Sequence, residues 1–140
     1  MRAQEFFYCT GARIRALMRI LLLVVFGSAG TVARYALEGF VHEQAGSSFP
    51  TGTLTVNLLG CFLLGVTGQY ALLHISIPPD WRVAITVGFF GAFTTFSTFS
   101  WEIISMMQDG DWRRAAVYLA TSLVGGLFLL ALGMRLAERI

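Results

Sequence analysis

GFFGAFTTFSTFSWE, residues 88–102, is the stretch that decides how this 140-residue chain is read. It interleaves phenylalanines with the hydroxyl side chains Thr94, Thr95, Ser97, Thr98 and Ser100, inside an apolar run that holds no charge from Val83 to Trp101. A lipid-facing anchor needs only Leu, Ile and Val at that depth. Hydroxyls and aromatic rings crowded together there point to a place where something polar is stripped of water and held. Helical phase sorts them. With Thr94 at zero, Phe96 and Phe99 fall at about 200° and 140°, while Thr98 and Ser97 fall at about 40° and 300°. One face then carries two rings and the opposite face carries hydroxyls. The plainer alternative is a packed Phe stripe whose Ser and Thr side chains bond back to their own helix carbonyls.

Working outward, the composition fits a membrane. Hydrophobic residues make up 56% of the chain and charged residues 13%, where a soluble domain carries about 25% charged. Four segments are long enough to span at roughly 20 mainly apolar residues each: residues 20–40, 52–75, 82–107 and 114–136. The links between them are short and punctuated by Gly46 and Pro50, by Pro78-Pro79, and by Asp109-Gly110. The expected fold is therefore an all-α bundle of four transmembrane helices. Gly27 and Gly30, Gly60, Gly65 and Gly68, and Gly125, Gly126 and Gly133 supply the small surfaces that let such helices approach.

The formal net charge of +2 argues against nucleic acid as a partner. Arg2, Arg13, Arg15 and Arg19 precede the apolar run 20–26, but no small-residue cleavage site follows. Residues 1–17 are read as an N-terminal leader feeding a retained first helix, with Met18 as an alternative start, and residues 18–140 as the bundle. Cys9 in the leader and Cys61 in mid-span are not expected to pair. Counted from Met18, one side carries Arg19, Arg82, Arg135 and Arg139 and the other Arg34, Arg113 and Arg114. That near balance sets almost no preferred orientation, as expected of a chain that inserts both ways up.

Few residues carry chemistry. Gly88, Gly91 and the Thr94-Thr95 pair weaken the third helix. A break there frees backbone carbonyls, which survive at membrane depth only where they line a cavity or bind an ion. Carbonyls suit a hard cation, whereas hydroxyls and the electropositive edges of rings suit an anion. Asn57 offers two amide donors at depth, for a pore or for interhelical bonding. Arg34 and Glu102 are the ionisable groups nearest the span interiors. Tyr118 and Ser122, one turn apart, extend a polar track. No nucleophile–base constellation, phosphate loop or transition-metal spacing appears, so no enzyme is expected.

Three blocks then carry a likeness. GSAGTVARY at residues 27–35, GTLTVNLLG at 52–60 and GAFTTFSTFSWE at 91–102 occur in order, and the last is highly specific. From residue 18 onward the chain resembles the Fluc/CrcB family of bacterial fluoride channels. The resemblance implies a multi-pass protein of the cell (inner) membrane that lets fluoride leave passively. It implies an antiparallel, dual-topology homodimer with two pores and a broken third helix. A structural Na⁺ at the dimer centre would take backbone carbonyls of Gly91 and Thr94. The fluoride path would use Asn57, Phe96, Phe99, Ser97, Thr98, Tyr118 and Ser122, with Arg34 in the vestibule. Ala92 and Ser28 stand where that family often has glycine, and neither is expected to matter to backbone coordination. A proton-coupled multidrug exporter would need an acidic residue midway along the first helix, and residues 20–33 hold none. A non-transporting assembly subunit, with the polar stripe as packing alone, is the remaining alternative.

Overall fold

The structure, a computed structural model, describes the backbone of residues 2–46 and 48–140 and the side chains from residue 13 onward, residue 47 excepted. Cys9 and most side chains of the expected leader lie outside the described residues. Six α-helices follow one another: α1 (Arg2–Ala45), α2 (Thr51–Leu73), α3 (Pro79–Val83), α4 (Gly91–Phe93), α5 (Phe96–Gln108) and α6 (Trp112–Ala137). A π-helical segment, Ala84–Phe90, joins α3 to α4. No strand occurs among the described residues.

Four stretches are long and apolar enough to cross a bilayer: Arg13–Ala45, Thr51–Leu73, Pro79–Gln108 and Trp112–Ala137. These are the four expected spans, each reaching further at one end or both, except that the second stops short of Ile75. The turns between them use the anticipated punctuation. Gly46 (φ 55°) and Gly110 (φ 84°) adopt the left-handed conformation that glycine takes without a Cβ clash. Pro79 occupies the first turn of α3, where its missing N–H costs nothing.

Packing pairs the elements. α2 lies most extensively along α6, and α1 lies along the π-helical segment and α4. The first pair is close because of two glycines facing each other's helix. A Cβ on Gly65 would strike the Leu130 carbonyl, and one on Gly133 would strike the Phe62 carbonyl. Gly30 does the same for α1, which meets the Phe89 backbone there. Without a hydrophobic drive between helices in lipid, this backbone-to-backbone contact is a main source of cohesion. The buried core is thin. One cluster joins Val56, Phe90 and Phe93, and a second joins Phe99, Ile103, Ala115 and Tyr118. Large apolar side chains such as Val32, Phe96, Trp101 and Phe128 remain exposed.

Gly133→Ala should therefore lower stability by about 1–3 kcal/mol through overpacking, while Gly39→Ala, whose Cβ meets nothing within 4 Å, should leave it unchanged or slightly improved. Unfolding midpoints of the purified variants in detergent check this, and equal midpoints would remove the glycine seam as a source of cohesion.

Candidate functional site: the extended pair and two flanking cavities

The site is built around Thr94 and Thr95. Thr94 has φ −91° and ψ 157°, and Thr95 has φ −143° and ψ 116°, both extended, between α4 and α5. A continuous helix would send the Thr95 N–H to the Gly91 carbonyl and the Thr98 N–H to the Thr94 carbonyl. Neither goes there. The Thr95 N–H donates to Asn57 Oδ1 at 2.8 Å. The Thr98 N–H donates to Thr95 Oγ1 at 3.2 Å, which makes Thr95 the N-cap of α5. The carbonyls of Gly91 and Thr94 thereby lose their helical donors.

Other groups close part of the gap. Asn57 Nδ2 donates to the Thr95 carbonyl at 3.1 Å, so this one amide satisfies both backbone groups of Thr95. Arg34 Nε donates to the Ala92 carbonyl at 3.2 Å. Its Nη1 lies 3.7 Å from Glu38 Oε2, one turn along α1. Arg34 lines neither cavity described below and acts here as a tie between α1 and the end of α4. Ala92 contributes only its backbone carbonyl to that tie.

The helical phase taken from Thr94 does not carry across the extended pair, because α5 starts only at Phe96. Within α5 the two rings do lie together, with centroids 5.8 Å apart. Their burial is opposite: Phe99 is 5% exposed and Phe96 77%. The hydroxyls divide as well. Thr94 Oγ1 and Ser100 Oγ bond back to the Phe90 and Phe96 carbonyls, each at 2.9 Å, as the plain packing alternative holds. Thr98 instead accepts from Thr95 Oγ1 at 2.9 Å, and exposed Ser97 has its Oγ 3.4 Å from the same atom.

Two cavities flank this junction. The smaller, about 210 Å³, is lined by Asn57, Cys61, Thr94, Thr95, Phe96, Phe99 and Ser122 among others. Ser122 Oγ is buried there without a hydrogen-bond partner. The larger, about 620 Å³, is open and is lined by Tyr35, Glu38, His42, Thr53, Thr98 and Glu102 among others. Phe99 lies against the first and Glu102, one turn further along α5, against the second. Glu102 is held from both sides: Thr53 Oγ1 donates to Oε1 and Tyr118 Oη donates to Oε2, each at 2.7 Å. Tyr118, fully buried, packs edge-on against Phe99 at 5.1 Å and Phe49 at 5.5 Å. Its hydroxyl is thus committed to Glu102, while Ser122 alone of the α6 pair reaches a cavity. Sequence reasoning passed over the Thr53–Glu102–Tyr118 triad. The available signal was a lone carboxylate in an otherwise uncharged span, which must find donors. Glu38, near the end of the first span, is a second carboxylate that the sequence reading did not single out. Among the described residues, no group of three or more His, Cys, Asp or Glu side chains stands ready for a metal.

The arrangement offers a small, ring-lined space with an amide, an unsatisfied hydroxyl and the extended Thr94–Thr95 pair around it, beside a wider carboxylate-lined cavity. Comparison with known proteins gives consistent matches. The family described as "CrcB-like protein, Camphor Resistance (CrcB)" matches residues 21–134. A protein of Nitratidesulfovibrio vulgaris named "Fluoride-specific ion channel FluC" is 45% identical over 118 residues, which is 84% of this chain and 95% of that protein. Its namesake in Shewanella oneidensis is 48% identical over 118 residues, 84% of this chain and 94% of that one. In Geobacter metallireducens the protein of the same name is 40% identical over 124 residues, covering 89% of this chain and 100% of its own length.

Asn57→Ala removes both bonds to Thr95 and leaves two backbone groups unsatisfied at depth. It should cost about 1–3 kcal/mol, read as a lowered unfolding midpoint in detergent. A midpoint within experimental error of the parent would show that Thr95 finds other partners.

Proposed function

The chain belongs to the CrcB family, and from that premise we propose that it is a fluoride-selective channel of the cell (inner) membrane that releases fluoride passively from the cytoplasm. Its four apolar helices and its channel relatives make it a multi-pass membrane protein, and the same relatives set it apart from enzymes. One observation carries the specific reading: Asn57, Phe96, Phe99 and Ser122 meet in a cavity of about 210 Å³ at the extended pair.

The physical problem is dehydration. A small, strongly hydrated anion pays heavily to enter a low-dielectric span, so replacement donors must stand along its whole path. The Asn57 amide keeps one N–H beyond the bond to Thr95. Ser122 Oγ has no protein partner. The edges of Phe96 and Phe99 add positive potential where no hydrogen-bond donor stands. Ser97 and Thr98 continue the track past the N-cap of α5. A narrow path with fixed donors disfavours larger halides, which fill it poorly. The helix interruption is the device that makes the space, by turning Thr95 out of the ladder.

The functional unit we propose is an antiparallel homodimer of dual-topology subunits with two pores. The exposure of Phe96 and Ser97 in a single copy supports it, since both are then available to a second copy. The carbonyls of Gly91 and Thr94, deprived of helical donors by Asn57 and Thr95, fit a structural Na⁺ shared at the dimer centre. Such an ion would supply positive charge to those carbonyls and would not itself be transported.

Purified protein in fluoride-loaded liposomes should release fluoride to a fluoride-selective electrode, and Phe96→Ile should reduce the rate about tenfold, the scale of one lost ring interaction, with assembly intact. An unchanged rate would remove Phe96 from the path. Exchanging Na⁺ for K⁺ throughout purification should lower the unfolding temperature of the dimer by several degrees; equal temperatures in the two salts would overturn the central sodium.

A further inference from the structure

The large cavity is an odd entrance for an anion. Among the described residues lining it are three carboxylates, Glu38 from α1 and Glu102 and Asp109 from α5 or its end, with His42 from α1 as the one basic side chain. The segment that starts α2 contributes Ser48, Thr53 and the backbone around Pro50, none of them charged. No arginine lines it directly; Arg114 of α6 reaches its wall by donating to Ser48 Oγ at 2.8 Å and pairs with Asp111 at 3.4 Å. The nearest described arginine of the same helix, Arg34, is spent on the Ala92 carbonyl and on Glu38.

The three carboxylates are not equivalent. Glu102 receives two hydrogen bonds, so its charge is distributed into Thr53 and Tyr118. Asp109 stands at the exposed outer end. Glu38 lies between, half-buried, with Oε2 facing Arg34 across 3.7 Å and Oε1 buried without any partner. A 3.7 Å ion pair across one helical turn offsets part of the Arg34 charge, and the unpaired oxygen leaves negative potential on the cavity wall. The α1 backbone fixes this geometry, because Gly52 at the start of α2 packs directly on the backbone of Glu38.

Resting on the channel reading above, we propose that Glu38 sets the rate of fluoride entry: it mutes the attraction of Arg34 and lines the mouth with negative charge, so that it acts as a brake. Glu38 acts through the field and touches no reacting atom. In water, a unit charge about 6 Å from an anion changes its local concentration by about threefold. Dissolved salt screens such an effect, with a Debye length near 10 Å at 0.1 M.

The experiment is fluoride efflux from liposomes carrying the full chain, at fluoride well below saturation, with the parent, Glu38→Gln and Asp109→Asn. Glu38→Gln keeps the side-chain shape and should accelerate efflux about threefold at low ionic strength. That gain should shrink as potassium gluconate is added, and vanish at saturating fluoride. Asp109→Asn, further out, should give a smaller gain with the same salt dependence, and it carries the test if Glu38→Gln does not assemble. A Glu38→Gln channel that runs at the parent rate or slower in low salt overturns the brake, as does a gain that salt leaves untouched. A parent protein that moves no fluoride overturns the channel reading, and the brake with it.

Discussion

Every backbone donor and acceptor in a bilayer needs a partner, and the extended pair Thr94–Thr95 breaks the supply. The rest of the site answers that shortfall. Asn57 takes both polar groups of Thr95, Thr95 Oγ1 takes the Thr98 N–H, and Arg34 takes the Ala92 carbonyl. Each replacement arrives from a different element: α2, the pair itself, and α1. The interruption therefore specifies how three spans dock, because displacing any of them exposes an unsatisfied group to hydrocarbon. Gly60, where a Cβ would strike the Thr94 side chain, and Gly30, which meets the Phe89 backbone, let α2 and α1 come close enough for these bonds.

The second organising element is the carboxylate on α5. A charge one turn from a buried phenylalanine is costly unless donors surround it. Thr53 and Tyr118 provide them, and in doing so they bind α2 and α6 to α5. The ring of Tyr118 also supports Phe99 edge-on. Polar satisfaction and ring placement are thus one arrangement, and a change in Glu102 would be felt at the Phe99 face of the small cavity.

Much of this was legible in the sequence. Hydropathy and turn residues give the four spans because length and polarity alone decide what can cross. The glycines at 30, 65 and 133 were readable as close contacts, although which helix each one meets was not. Helical phase failed at the most interesting place. It assumes one unbroken rotation, and residues 79–108 contain both a π-helical segment and an extended pair. The split of hydroxyls into back-bonded Thr94 and Ser100 and capping Thr95 follows from that interruption, which only the backbone reveals. The pairing of Glu102 with Thr53 and Tyr118 joins residues 49 and 16 positions apart, a separation that no local pattern encodes. Glu38 carries no comparable signal, because it falls at the end of the first apolar span, where charged residues are ordinary.

Asn57 meets both the N–H and the C=O of a single residue, much as a neighbouring strand would. Such pairing fixes the polarity of the amide. Its oxygen must stay on the Thr95 N–H and its nitrogen on the Thr95 carbonyl, and exchanging them would set two donors and two acceptors face to face. A freely rotating carboxamide adapts to ions of either sign. This one is locked end for end, so the end of the amide that each neighbour meets is set by the peptide geometry of residue 95.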